Sequence, residues 1–260
     1  MHGTRLLFSA FHWLSFVAIA TLFACLFSTT ASAKGQCPDD VVRSLTEALH
    51  IEPSAEIRDF SCKILPTDKR KVLVVLAYAL PGHVKYDDDL PYHLALMQLP
   101  SMKVLNHYKG KIVEDASQWV DDGYFTIDTA RYELSKSVRA FALREGGFHE
   151  SGAMDHGAED KFTLYLLGRN GGIRPIFSIP YMRFWWYDDD QNKGQYKENA
   201  RIGKIAIAVQ DTETNGFRDL MATASEENTN RIIFKHLLQY DGSTYQSKEL
   251  MKKIYTWWHQ

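Results

Sequence analysis

The sequence predicts a mainly β, antiparallel protein with a short helix near its amino terminus. Short runs of alternating or continuously apolar residues fill most of the chain after residue 66, as expected for half-buried and fully buried strands. Turn signals such as Pro81-Gly82 and Asn170-Gly171-Gly172 separate these runs. Hairpins also recur at a constant spacing along the chain, which indicates stacked units of similar structure.

Residues 1–33 have the features of a secretory signal peptide. Arg5 is their only charged residue, Leu6 to Phe27 is almost wholly apolar, and Ala31-Ser32-Ala33 supplies the small residues of a cleavage site. The apolar run is also long enough to act as an uncleaved membrane anchor, and the residues before Cys25 loosely resemble a bacterial lipidation site. We therefore expect a bacterial, periplasmic or secreted protein with no membrane contact beyond this segment, and leave anchoring and lipidation as alternatives.

The remaining cysteines, Cys37 and Cys62, predict a disulfide, because an even pair in an exported chain is expected to be oxidised. Closing a loop of about 26 residues would stabilise the fold by about 3 kcal/mol. Neither cysteine lies in a C-x-x-C motif or beside a histidine, which argues against a metal site. The full chain carries 30 basic and 32 acidic residues, so nothing in its charge indicates a nucleic-acid partner.

A short helix follows Cys37, with Asp39 or Asp40 as its N-cap and Pro53 after its end. We divide the chain into the signal peptide, a helical and disulfide-tied segment at 34–66, and a β-rich repeat domain at 67–260. The apolar positions that predict the helix are Val41, Val42, Leu45 and Leu49.

The β-rich segment contains eleven predicted strands, and the last residues, Ser247 to Gln260, predict a short helix or a final strand. The turn Asp241-Gly242 joins the last predicted strand to a short partner at 243–246. The predicted strands are Lys71–Leu80, Tyr92–Leu99, Met102–Tyr108, Tyr124–Leu134, Ser137–Arg144, Lys161–Leu167, Ile173–Ile179, Tyr181–Tyr187, Ile202–Val209, Leu220–Ala224 and Ile232–Tyr240.

Three hairpins begin near Tyr92, Phe162 and Ile232, which are 70 residues apart in each case. Four-stranded antiparallel units that repeat in this way resemble the blades of a β-propeller. Since propellers usually close with four or more blades, we expect about three blade-like units in an incomplete or distorted propeller. The alternative is a β-sandwich in which the units pack face to face.

An acidic stretch between two of these strands carries the pattern of a cation-binding loop. Asp211, Glu213, Asn215, Gly216 and Asp219 supply alternating oxygen ligands and a glycine for a sharp bend. With the strands around it, at about 202–246, the stretch resembles the calcium loop of the FG-GAP or VCBS-type repeat of integrin-like propellers. This resemblance implies a structural calcium site with Asp211, Glu213, Asn215 and Asp219 as ligands, although Glu213 and Asn215 depart from the family pattern. The alternative is an Asn-Gly turn with solvated acids, and no other cofactor is expected.

The segment 148–161 concentrates imidazole and carboxylate groups in a glycine-rich stretch, as an acid–base or metal site requires. It lacks the H-E-x-x-H spacing of a metalloprotease helix, and a solvated loop is the alternative. Its titratable residues are His149, Glu150, Asp155, His156, Glu159 and Asp160.

Three further clusters have both a functional and a structural interpretation. Asp87-Asp88-Asp89 and Asp188-Asp189-Asp190 could bind a cation or a basic partner, or simply lie in solvated turns. Phe184 to Tyr187 could form an aromatic recognition surface, or pack between units of the fold.

No nucleophile-elbow, P-loop or dinucleotide motif occurs in the sequence, and we assign no catalytic residue. We expect an exported, non-catalytic binding or inhibitory protein whose partner is another protein of the envelope or extracellular space. A hydrolase that uses the 148–161 segment and a calcium-stabilised structural module remain as alternatives.

Overall fold

The computed structural model describes residues 37, 39–85, 88–115, 119–146, 156–168, 172–186, 200–227 and 229–259, with backbone alone at 39, 156–159, 184–186, 200 and 201. These residues all belong to one compact unit, Gly35–Gln260. The helices are α1 (Asp39–Ala48) and α2 (Lys248–Trp258). The strands are β1 (Glu56–Leu65), β2 (Asp68–Ala79), β3 (Asp89–Gln98), β4 (Lys103–Val113), β5 (Phe125–Ser135), β6 (Val138–Glu145), β7 (His156–Leu167), β8 (Ile173–Trp186), β9 (Ala200–Thr214), β10 (Phe217–Glu226) and β11 (Arg231–Leu238).

The strands form two antiparallel sheets, one with the order β1-β2-β3-β4 and one with the order β11-β10-β9-β8-β7-β6-β5. The predicted mainly β, antiparallel fold with a short N-terminal helix is therefore confirmed. Neither sheet is divided into the three four-stranded units that the hairpin spacing predicted, because seven successive strands pair without interruption. Two stacked sheets instead fit a sandwich-like arrangement.

The four-stranded sheet lies between α1 and the seven-stranded sheet, which explains the continuous apolar run of β2. Every residue from Val72 to Ala79 is buried, because alternate side chains face opposite, covered sides. On one side, Val72, Val74 and Leu76 pack with Val41 and Leu45 of α1. On the other side, Leu73, Val75 and Ala77 pack with Phe141, Leu143 and Tyr165 of the larger sheet.

The seven-stranded sheet folds over so that its other face forms a second core. The Cα atoms of β5 come within 8 Å of those of β9 and β10, although β5 forms a ladder with neither strand. The helix α2 closes this core with Leu250, Ile254, Trp257 and Trp258. Within the described residues, no helix has the length and apolarity to cross a lipid bilayer.

The predicted disulfide is present between Cys37 and Cys62, with Cα atoms 5.4 Å apart. Cys62 lies in β1, so the bond attaches the segment that precedes α1 to the edge of the four-stranded sheet. The strand β1 itself was not predicted, because its side chains alternate poorly and four of its ten residues are charged, one of which, Asp59, is buried. It lies before residue 66, where the sequence placed a domain boundary, and it pairs along its length with β2.

Three local predictions differ from the structure. The runs on either side of Pro180 form the single long strand β8, because a register irregularity at this point removes the need for a proline amide hydrogen. The acidic stretch is not an open loop, since β9 continues to Thr214 and β10 begins at Phe217. The last hairpin is reduced to one bridge between Tyr240 and Tyr245, and α2 follows it.

Candidate functional site

A groove of about 900 Å³ lies between α1 and the edge strand β1. Its apolar lining comes from Val42 and Ile51 on the helix side and from Ile57 and Phe60 on the strand. Ile57 and Phe60 are 36% and 37% exposed, and Ile64 farther along β1 is 49% exposed. Apolar side chains on an unpaired sheet edge are unusual, because natural edge strands are commonly protected by charge or by a covering element.

The groove follows from where α1 sits on the sheet. The helix packs over Val72, Val74 and Leu76 of β2 and approaches β4 at the far edge. The strand register places Phe60 opposite Leu76, on the same side of the sheet as the helix. Because α1 lies over the sheet interior, the corresponding side of β1 remains open to solvent.

A second feature is a group of titratable side chains on the folded-over face of the seven-stranded sheet. The guanidinium of Arg144 donates a 2.7 Å hydrogen bond to Oδ2 of Asp128, which also accepts a 3.0 Å bond from the Tyr132 hydroxyl. Burial alone would raise the pKa of Asp128, but hydrogen bonds from the Ala130 amide and Arg144 lower it overall. Asp128 is therefore ionised and paired at neutral pH.

Asp160 is the opposite case, because no cation is paired with it among the described residues. Asp160 is 7% exposed, and its burial raises the pKa of its carboxyl group to about 6. A hydrogen bond from Tyr181 lowers the pKa, but by less than burial raises it. Burial also raises the pKa of Tyr181, whose ring lies 5.2 Å below the guanidinium carbon of Arg144. Gly146 makes room for this carboxyl group, since a Cβ at that position would lie 2.9 Å from Cγ of Asp160.

Asp128, Tyr132, Arg144, Asp160 and Tyr181 together form what we call the charge cluster, and a cavity of about 300 Å³ adjoins it. Tyr132, Arg144, Tyr181 and Lys204 supply its polar lining, and Phe162 is among its apolar residues. A carboxylic acid that titrates near pH 6 can hold or release a proton close to neutral pH, which is the property of a general acid or base. The charge cluster thus has the electrostatics of an acid–base site beside a small cavity.

The four predicted calcium ligands lie around the β9–β10 hairpin but do not converge. Asp211 and Glu213 are exposed on β9, and Asn215 begins the tight turn, where its side-chain amide donates a 2.8 Å hydrogen bond to the Tyr240 carbonyl. Asp219 is buried, and its Oδ2 accepts a 2.6 Å bond from Thr212.

The alternation of side chains along β9 explains this arrangement. Thr212 stands between Asp211 and Glu213, so the side chain that contacts Asp219 belongs to the opposite face of the strand. The described part of the chain contains no group of three or more His, Cys, Asp or Glu side chains placed to hold a metal ion. Calcium binding therefore stays a prediction of the sequence pattern.

Only part of the 148–161 segment can be placed. His149, Glu150 and Asp155 lie outside the described residues, and His156 and Glu159 are described by their backbone in β7. Asp160, the last acid of the segment, is the buried carboxyl of the charge cluster. The structure thus brings one predicted residue together with Arg144 and Tyr181, which the sequence did not single out.

The remaining predicted clusters are partly described. Asp88 accepts a 2.8 Å hydrogen bond from the Val84 amide, and Asp89 forms a 2.6 Å ion pair with Lys111, so these two acids serve the local structure. Asp87, the acids 188–190 and Tyr187 lie outside the described residues. Residues 184–186 continue β8, and only their backbone is described.

Two groups of residues were missed by sequence reasoning for the same reason. Asp128 and Arg144 are 16 residues apart and form no motif, and only the pairing of β5 with β6 brings them together. Ile57 and Phe60 gave no signal because their exposure depends on where α1 lies. No protein-family model matches the sequence, and no curated protein is significantly similar to it.

Proposed function

We propose that this chain is an exported, non-catalytic binding protein that recognises another protein of the bacterial envelope. The observation that carries this proposal is the open apolar groove beside β1, with Ile57 and Phe60 exposed in it. The Cys37–Cys62 disulfide is compatible with an oxidising compartment, in agreement with the signal-peptide pattern of residues 1–33.

The occupant that fits this groove best is an extended, apolar segment of a partner protein. Among the described strands, β1 has one sheet neighbour, β2, so a bound strand could add to its other edge through main-chain hydrogen bonds. Ile57, Phe60 and Ile64 would then supply apolar contacts to alternate side chains of the partner. The charged residues that line the groove, among them Arg43 and Glu47, are of both signs and favour no strongly charged ligand.

The test is site-specific crosslinking followed by affinity measurement. A photo-crosslinking residue at position 57, in the protein expressed from the full chain, should capture one stoichiometric partner from envelope extract. The purified partner should then bind the Ile57→Ser, Phe60→Ser double variant at least about 30-fold more weakly, because apolar anchors at an interface centre typically contribute 2 kcal/mol or more.

The matched control is Ile232, which is 55% exposed on the edge strand β11 of the other sheet. A crosslinker at position 232 should not capture the same partner, and Ile232→Ser should leave its affinity within about twofold. Equal capture at positions 57 and 232, or unchanged affinity of the double variant, would contradict the groove as the binding site.

The charge cluster supports hydrolase activity as a second candidate function. Asp160 is a buried acid with a pKa of about 6, and it belongs to the segment whose composition indicated acid–base chemistry. On this alternative, Asp160 donates or accepts a proton beside the Arg144 cavity. Activity on a panel of ester, peptide and glycoside substrates should depend on an ionisation near pH 6 and should be abolished in Asp160→Asn. An activity that survives this substitution would exclude Asp160 from the chemistry.

A calcium-stabilised module, as the FG-GAP resemblance implies, is the third candidate. One observation favours it: Oδ1 of Asp219 is buried without a hydrogen-bond partner among the described residues, as a cation ligand would be. If calcium binds there, chelator should lower the melting temperature of the protein, and Asp219→Asn should remove this response. An identical melting temperature with chelator and with added calcium would count against it.

A further inference from the structure

A cleft of about 460 Å³ opens where β3 and β4 of the small sheet meet β7 and β8 of the large one. It is separate from the groove beside α1 and from the cavity of the charge cluster, because it shares no lining residue with either and its tyrosines belong to the core between the two sheets. Gly110 of β4 makes room for the Tyr92 ring at the cleft, since a Cβ there would lie 2.3 Å from Cε1 of Tyr92. The Tyr92 ring therefore packs directly beneath the β4 backbone.

Two pairs of hydroxyl groups line this cleft. The Tyr92 and Tyr165 hydroxyl oxygens lie 3.0 Å apart, and those of Thr163 and Ser178 also lie 3.0 Å apart. Each pair has two hydroxyl protons but uses only one of them in the bond between its members. Each pair can therefore donate its second proton to an acceptor in the cleft.

The tyrosines remain donors at neutral pH. Tyr92 is 3% exposed and Tyr165 is 1% exposed, and burial raises the pKa of both phenols well above the ordinary value. Each phenol consequently keeps its proton and can donate a hydrogen bond to a negatively charged or carbonyl oxygen.

The charged residues that line the cleft are lysines, although the buried Glu145 carboxylate lies close enough to help raise the pKa values of Tyr92 and Tyr165. Lys109, Lys111 and Lys161 are among its lining residues, and no acidic residue lines it in the described part of the chain. Glu145 lies behind Lys161, with its Oε1 atom 3.3 Å from Nζ, and Lys111 pairs with Asp89 at the surface. These two contacts offset part of the positive charge. Lys109 and Lys111 alternate with Tyr108 and Gly110 along β4 and leave the strand on its other face, whereas Lys161 lies on the same face of β7 as Thr163 and Tyr165.

We propose that this cleft binds an oxyanion, either a carboxylate or a phosphate group, carried by a small organic molecule. The hydroxyl pairs and Lys161 would hold the anionic oxygens, as charge-assisted hydrogen bonds are the strong ones in such sites. The rings of Tyr92, Tyr108 and Tyr165, which are tilted to one another by 52° and 62°, provide apolar contacts for the rest of the ligand together with Pro175. A cleft of this volume accommodates a ligand of metabolite size.

Titration calorimetry on the protein purified from the full chain tests this proposal with two probes, inorganic phosphate and benzoate. Each is compared with sodium chloride at the same ionic strength. Saturable heat with either probe is expected, and binding of only one identifies the oxyanion as phosphate or carboxylate. Saturation with neither probe would overturn the proposal.

Two variants locate the binding in the cleft. Tyr165→Phe keeps the ring and removes one hydroxyl of the first pair, and Thr163→Val removes one hydroxyl of the second pair. Each change leaves the partner hydroxyl without the bond that orients it, so each should weaken binding of the probe about tenfold. The control is Tyr245→Phe, because this buried tyrosine donates a 2.6 Å bond to the Arg218 carbonyl away from the cleft. The affinity of the Tyr245→Phe variant for the probe should stay within about twofold of that of the unmodified protein. If Tyr165→Phe does not fold, Thr163→Val decides, and unchanged affinity in it would overturn the proposal.

Discussion

Asp128 and Asp160 lie on the same sheet face and near the same arginine, yet their environments shift their pKa values in opposite directions. Asp128 is paired with Arg144 and accepts the Ala130 amide, so the ionised form is favoured despite burial. Asp160 has the neutral Tyr181 as its side-chain partner, so burial dominates and the protonated form is favoured. The difference in partners, rather than the residue type, decides which carboxylate can exchange a proton near neutral pH.

Replacing Asp160 by Asn should stabilise the protein at neutral pH. The pKa of Asp160 rises from its ordinary 3.8 to about 6 on folding. Between these two pH values the folded protein holds a proton that the unfolded chain releases, so the free energy of unfolding falls as the pH rises from 3.8 to about 6. Asn is neutral at every pH and removes this dependence, which raises the free energy of unfolding at pH 7 by up to about 3 kcal/mol. Urea denaturation at several pH values between 4 and 7 measures the change.

Asp128→Asn is the matched variant because the pKa of Asp128 is lowered on folding. The stabilisation that ionised Asp128 gives the folded protein is fully present above the ordinary carboxyl pKa. It is lost as the pH falls through the lower pKa that Asp128 has in the folded protein. This variant should therefore destabilise the protein by about 2 kcal/mol at pH 7, with a smaller loss in acid. If Asp160→Asn also lowered the free energy of unfolding at pH 7, the electrostatic account of Asp160 would be wrong.

At the scale of single elements, the β9–β10 hairpin shows how a functional pattern and a structural one can share the same residues. Asn215 and Gly216 have φ values of 51° and 84°, as in a type I′ turn, whose twist matches that of the flanking strands. Asn and Gly are the residues that adopt these angles most readily. The pattern that resembles a calcium loop is thus also the pattern of a two-residue hairpin with an Asn-Gly turn, which is the alternative interpretation of these residues.

Gly216→Ala should cost about 1 kcal/mol of folding stability through backbone strain alone. A Cβ at Gly216 would meet no atom within 4 Å, so the left-handed φ of 84° is the only source of cost. Gly172→Ala is the matched control, because its Cβ also has open space but its φ is not in the left-handed region. Thermal unfolding should separate the two variants, and an equal loss in both would contradict a turn-specific cost.

At the scale of the whole molecule, the carboxylate of Asp59 joins the two sheets. Its oxygens accept hydrogen bonds of 3.1 Å from the Gly123 amide and 2.7 Å from the Phe125 amide, at the start of β5. Asp59 is buried in β1, beside a register irregularity that follows Ile57. This contact attaches the edge of the small sheet, and with it one wall of the groove, to the large sheet.

Asp59→Ala should destabilise the protein by about 3 kcal/mol, because it leaves two inter-sheet amides without an acceptor. Asp59→Asn keeps one carbonyl oxygen and should lose about half as much. As a surface control, Asp89→Ala breaks the exposed pair with Lys111 and should cost less than about 1 kcal/mol. Chemical denaturation would contradict this role if Asp59→Ala and Asp89→Ala had the same effect.

The sequence by itself determined the β class, the antiparallel hairpins, the first helix and the Cys37–Cys62 bond. These features depend on the period of apolar residues, on turn chemistry and on cysteine number, which are local properties of the chain. The sequence also indicated Asp160, as one of the titratable residues of the segment 148–161. It did not predict β1, whose weak alternation becomes a strand only through pairing with β2.

Only the tertiary structure decided how many sheets form and which side chains meet. The constant hairpin spacing was compatible with separate blade-like units. In the structure, however, each strand from β5 to β11 pairs with the next strand of the chain, so that seven strands form one continuous sheet. The Asp128–Arg144 pair, the Tyr92–Tyr165 hydroxyl pair and the groove at Ile57 all join residues whose proximity depends on strand register or sheet packing. Such contacts are between residues distant in sequence, so no local pattern of apolar or charged residues specifies them.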